Sequence, residues 1–134
     1  MKKIFLRSAG MAVAAMAWFW LASPSASGMK PFRDEFIAKY VKPDSTDAKE
    51  KAFAEAVQKA KCNLCHQGKS KKDRNVYGRA LGKFLHEDDM DNKDKIGEAL
   101  DKAAQLKSKP GDSSSPTFGD LIKAGKLPGG KPNR

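Results

Sequence analysis

Cys62-Asn63-Leu64-Cys65-His66 is the stretch on which the reading of the chain turns. Residues three and four apart on a helical turn share a face. Cys62 and Cys65 can therefore present both thiols to one edge of a planar group, and His66 can turn its ring over that plane. C-x-x-C-H is the attachment signature of a c-type haem. The two thiols would form thioethers with the vinyl groups, and His66 would ligate the iron as proximal ligand.

Other uses of these residues are weaker. A structural zinc takes four ligands. The chain holds two cysteines and two histidines, His66 and His86, but the spacing between the histidines does not suit a zinc finger. A thioredoxin-like dithiol would sit in a βαβ pattern, and no strand-like run flanks the motif. A disulfide between Cys62 and Cys65 would close too short a loop to stabilise much.

The motif's context fits export. Lys2, Lys3 and Arg7 form a basic start, Met11 to Ala22 is apolar, and Ser23-Pro24-Ser25-Ala26-Ser27-Gly28 supplies small residues. This pattern predicts a signal peptide over residues 1–27, cut after Ser25 or Ser27, and a periplasmic or secreted protein. An uncleaved anchor is the alternative, although the apolar run is short of the roughly 20 residues a spanning helix needs. No cysteine stands at the exit for a lipid. Both tryptophans fall in this leader and both cysteines in the motif.

The whole chain of 134 residues carries a formal charge of +10. Without residues 1–27, 23 basic residues face 16 acids, and the charge is +7. Two ionised propionates of a haem would lower it further. Lys59, Lys61, Lys69, Lys71 and Lys72 cluster around the motif. Such a rim would steer an acidic redox partner, or is simply a solvated basic face. Nucleic acid fits poorly, because the aromatics do not alternate with the basic residues as a stacking platform requires.

The remaining pattern is helical throughout. Pro31 suits a helix start, and Phe32, Phe36 and Tyr40 recur at four-residue spacing up to a stop before Pro43. Asp47 with Glu50 resembles a capping box for a helix over 48–61 that delivers Cys62. Asn75 caps a third helix carrying Val76, Tyr77, Leu81, Phe84 and Leu85. Gly78 and Gly82 weaken that helix, and either a close approach to the haem or to another helix repays them or they are simply tolerated. Asn92 caps a fourth helix, 93–107, with Ile96, Ala99, Leu100, Ala103 and Leu106 inward, and with Lys102 and Lys107 at its C-terminal dipole. Residues 110–116 read as a Pro/Gly/Ser linker. Thr117 starts a short helix with Phe118, Leu121 and Ile122 that Gly125 stops, and the chain from Leu127 reads as a loose tail. The expected organisation is a leader (1–27), a haem domain (28–109) and a C-terminal segment with one short helix (110–134).

These residues resemble a small exported monohaem cytochrome c of class I. The likeness is specific at Cys62, Cys65 and His66. It continues in Arg74-Asn75-Val76-Tyr77-Gly78, which is similar to the Gly-Pro-Asn-Leu-x-Gly stretch of that class, with Asn75 and Gly78 matching. It covers about residues 48–107. It implies an all-α, cytochrome c-like fold of four or five short helices wrapped around one covalently attached haem c. In that class a proline carbonyl orients the proximal histidine, and here Arg74 stands in its place. The class also supplies a downstream methionine from a proline-containing loop. Apart from Met29, the sequence after the leader offers only Met90, 24 residues past His66 in an acidic stretch without proline. His86 competes, four residues beyond Gly82 on the expected face of the third helix.

The expected function is electron transfer outside the cytoplasm rather than enzymatic turnover. Cys62 and Cys65 would tether the haem, His66 would ligate it, and Lys61, Lys69, Lys71 and Lys72 would dock a partner. An open sixth position would instead give a protein that binds a small gas or activates peroxide, with His86 or Arg79 as acid or base. The position of the motif, with 68 residues after it, argues against the gas-binding cytochromes c′. A haem subunit of a larger oxidoreductase is the remaining reading.

Overall fold

The computed structural model describes residues 30–132. The expected leader, residues 1–27, lies outside them, as does Met29. Among the described residues the regular structure is helical, with two isolated antiparallel bridges and no strand. No helix among them is long and apolar enough to cross a membrane.

α1 (Lys30–Tyr40) buries Phe32 and Phe36 at the expected spacing and packs on α4 (Lys93–Ala104). α2 (Ala48–Ala60) starts at Asp47, whose carboxylate accepts from the N–H groups of Lys49 and Glu50, both at 2.9 Å. The predicted capping box does not close. The Asp47 N–H goes to Ser45 Oγ at 3.1 Å, and Glu50 turns away to Lys42 Nζ at 2.8 Å. One face of α2 buries Phe53, Ala54, Val57 and Ala60.

Two helices are shorter than their periodicity suggests. α3 (Val76–Leu81) was expected to reach Leu85. It tightens after Gly78 and Gly82 into bonds from Lys83 N–H to Ala80 and from Phe84 N–H to Leu81, the narrower winding usual at helix ends. α4 ends at Ala104 rather than Lys107. The Leu106 carbonyl accepts from Phe118 N–H at 3.0 Å, and Ser108 N–H donates to Pro116 at 2.9 Å. The returning segment thus takes the backbone groups that another helical turn would have used. Lys107 consequently leaves the helix dipole and donates through Nζ to the Ser115 carbonyl at 2.9 Å.

α5 (Phe118–Lys123) begins at the expected Thr117 and has a reciprocal box: Thr117 N–H to Asp120, and Asp120 N–H to Thr117 Oγ1. Phe118 and Ile122 enter the same core as Phe36, Val57, Tyr77, Ile96 and Leu100. The rings of Tyr40, Phe36, Tyr77 and Phe118 form an edge-to-face series with centroids 5.0, 5.8 and 5.2 Å apart. The expectation of a loose tail fails. Pro128 is fully buried, and Gly129 fits against the side chain of Asn75 and the carbonyl of Leu64.

A candidate haem-attachment site

α2 hands the chain to the motif through Lys61, the only non-glycine with positive φ among the described residues, at 49°. The turn Lys61–Leu64 is a short 3₁₀ helix. The Cys62 carbonyl accepts from both Cys65 N–H (3.2 Å) and His66 N–H (3.0 Å), which puts all three residues on one winding. Leu64 is 1% exposed and pins this turn into the core, a burial that contributes about 2 kcal/mol.

The chain then makes a basic excursion and returns. Gln67 N–H donates to Asp73 at 2.8 Å and Asn75 N–H to Cys65 at 3.0 Å, closing the bridge between His66 and Arg74. Asn75 does more than cap α3. Its side-chain oxygen accepts from Gly78 N–H at 2.9 Å, while Nδ2 lies within hydrogen-bond distance of the carbonyls of Asn63 (3.1 Å), Leu64 (3.1 Å) and His66 (3.3 Å). The sequence signalled the cap alone. The link back to the motif depends on the loop's return, which no local pattern encodes. Gly78 meets the Cys65 carbonyl so closely that a Cβ would overlap it. The close approach expected of Gly78 is therefore to the motif's own backbone, and Gly82 lies against the Arg74 guanidinium.

The two thiols are unequal. Cys62 is exposed; Cys65 is half-buried against the core, and burial pushes its thiol up to about 12. They form no disulfide with one another. His66 is half-buried, and its Nδ1 is buried without a hydrogen-bond partner among the described residues. Desolvation first, then the positive charge of Arg74, hold its pKa below the ordinary value, which favours the neutral imidazole. The Arg74 carbonyl accepts from Arg79 Nη1 at 2.6 Å. The backbone groups that act on the His66 ring are those of Asp73 and Lys71.

The residues present fit a covalently held haem on three counts. The cysteines share a turn, the histidine favours the neutral form that can ligate a metal, and Gly78 lets α3 pack directly on the turn. Nearby, Tyr77 is 0% exposed and its hydroxyl also lacks a partner among the described residues. Among the described residues no three His, Cys, Asp or Glu side chains gather as a metal cage.

The distal candidates separate. His86 is exposed and starts the short 3₁₀ turn Glu87–Asp89, with its N–H on Asp89 Oδ2 at 2.8 Å. It is not on the face of α3, because that helix ends before it. Met90 is half-buried and packs against the core that also contacts Cys65. Asp89 beside it is buried and paired with Lys95 Nζ at 2.5 Å. Lys61, Lys69, Lys71 and Lys72 are all exposed around the motif. Compared with known protein families, with curated proteins and with solved structures, the chain matches none.

Proposed function

We propose that the chain is a monohaem c-type cytochrome that transfers electrons outside the cytoplasm. The observation that carries this reading is the braced turn that holds Cys62, Cys65 and a neutral His66 together. A haem c bound there supplies reversible one-electron exchange at iron. Cys62 and Cys65 would tether it, and His66 would hold its iron. Leu64, Asn75 and Gly78 hold the turn still, so that little reorganisation accompanies a change of charge. Met90 would be the better second iron ligand, since it already packs on the core whereas His86 faces solvent. The exposed lysines around the motif suit an acidic redox protein, approached by long-range attraction. Location outside the cytoplasm rests on the leader pattern in residues 1–27.

The test is the optical spectrum of the purified protein, oxidised and reduced, with and without carbon monoxide. Covalent haem with a low-spin spectrum indifferent to carbon monoxide supports the carrier, and loss of a sulfur-to-iron band in Met90→Ala assigns the sixth ligand. A high-spin form that binds carbon monoxide replaces the carrier with a gas-binding or peroxide-activating protein. Haem present only in a copurifying complex makes the chain a subunit of a larger oxidoreductase. Absence of covalent haem ends the proposal.

A further inference from the structure

The helical period places Val76 and Ala80 on the side of α3 roughly opposite Gly78 and Gly82. That side forms one wall of a cleft of about 440 Å³, a size typical of small-molecule sites. Val76, Ala80, Leu106 and Phe118 give it an apolar lining, and Pro110 and Gly111 border it as well. Three cations line it as well: Arg79, Lys83 and Lys107. No aspartate or glutamate lines the cleft, so nothing within it neutralises them.

Two of these cations are held in place. Arg79 donates through Nη1 to the Arg74 carbonyl at 2.6 Å, leaving the rest of its guanidinium fork unused by that bond. Lys107 donates to the Ser115 carbonyl at 2.9 Å. Lys83 is exposed. Apolar walls with cations alone suit a ligand that has an apolar body and an anionic head. A neutral lipid would leave the charges unanswered, and a polyanion would leave the apolar wall unused.

We infer that this cleft binds a small amphiphilic acid, an alkyl or aryl carboxylate, as a free molecule. The apolar body lies along Val76, Ala80 and Leu106, and the carboxylate meets Arg79 and Lys83. This site does not depend on the haem reading, and its test does not use haem.

The test is a titration of the full purified chain, carrying whatever group it binds, with decanoate and with decanol below their aggregation limits. The methyl resonances of Val76 and Leu106 are followed. The expected result is a saturable shift of both methyls by decanoate, with decanol about tenfold weaker. Lys83→Glu, a surface change that should leave folding intact, is expected to weaken decanoate roughly fivefold and to leave decanol unaltered. Equal binding of the two compounds, insensitivity to Lys83→Glu, or no saturable shift at either methyl overturns the inference. So does a response to phosphatidylglycerol vesicles without one to monomeric decanoate, which would make the cleft a membrane-facing surface.

Discussion

The α-carbon of Gly78 lies against the carbonyl of Cys65, with no room for a Cβ between them. The two nearest atoms are backbone, the Cys65 carbonyl oxygen and carbon, so an alanine cannot be accommodated by a rotamer change. Gly78→Ala must push α3 off the motif turn or bend the turn itself. The expected cost is about 3 kcal/mol, the upper range for overpacking, despite alanine's better helix propensity. Guanidinium unfolding of Gly78→Ala against Gly97→Ala, where a Cβ meets nothing within 4 Å, measures it. Equal midpoints for the two variants would refute the close approach.

Asn75 ties the two sides of the same contact, accepting from α3 and donating to the motif. Asn75→Asp keeps the acceptor for Gly78 N–H but sets a carboxylate against three carbonyls. It is expected to destabilise by about 3 kcal/mol, through unmade hydrogen bonds and an unpaired buried charge. If it unfolds at the same denaturant concentration as the parent, the donor role of Nδ2 is wrong.

Tyr77 gives the opposite sign. Its ring packs on Phe36 and Phe118, but its buried hydroxyl has no partner among the described residues, and burial raises its pKa well above the ordinary tyrosine value. In the haem-free chain Tyr77→Phe keeps the packing and removes the unpaired group, so stability should rise by about 1 kcal/mol. A loss of stability would mean that the hydroxyl has a partner in solution.

The contrast between Tyr77 and Asn75 shows what the residue pattern could and could not reveal. Periodicity placed Phe36, Val57, Tyr77, Ile96 and Leu100 inward, and each is buried, because amphipathic spacing is a local property. The caps at Asp47, Asn75, Asn92 and Thr117 were equally legible. The ends of α3 and α4 were not, because they are set by tertiary bonds to Pro116 and Phe118 and by the brace on Cys65. The tail misled for the same reason. Leu127-Pro128-Gly129-Gly130 has the composition of a loose end, yet Pro128 is buried and Gly129 is small enough to sit on Asn75. The motif residues themselves were legible, while the Asn75 side chain that ties them to α3 was visible only as a cap.

The inequality of the two motif thiols should be measurable on the free cysteines. Cys62 is exposed, whereas burial raises the Cys65 thiol to about 12 and leaves little of the reactive thiolate at neutral pH. In the folded, haem-free chain, iodoacetamide at pH 8 is expected to modify Cys62 about a hundredfold faster than Cys65. Denaturant should bring the rates together. Peptide mapping over time reads both, and equal rates in the folded chain would contradict the burial of Cys65.

Asp120 sets an acid limit on the C-terminal helix. Hydrogen bonds from the Thr117 backbone, then from its side chain, hold the Asp120 carboxyl below the usual carboxylate range. The unfolded chain therefore takes up this proton at a higher pH than the folded chain does. The stabilisation is complete above the ordinary aspartate value, about pH 4, and is lost as pH falls through the lower folded-state value. Because α5 carries Phe118 onto Tyr77, that loss should be felt in the shared core. Asp120→Asn retains an acceptor for Thr117 N–H but cannot ionise. Its melting temperature should therefore fall less than the parent's between pH 5 and pH 2. Parallel curves for the two proteins would show that the Thr117–Asp120 pair does not contribute to acid sensitivity.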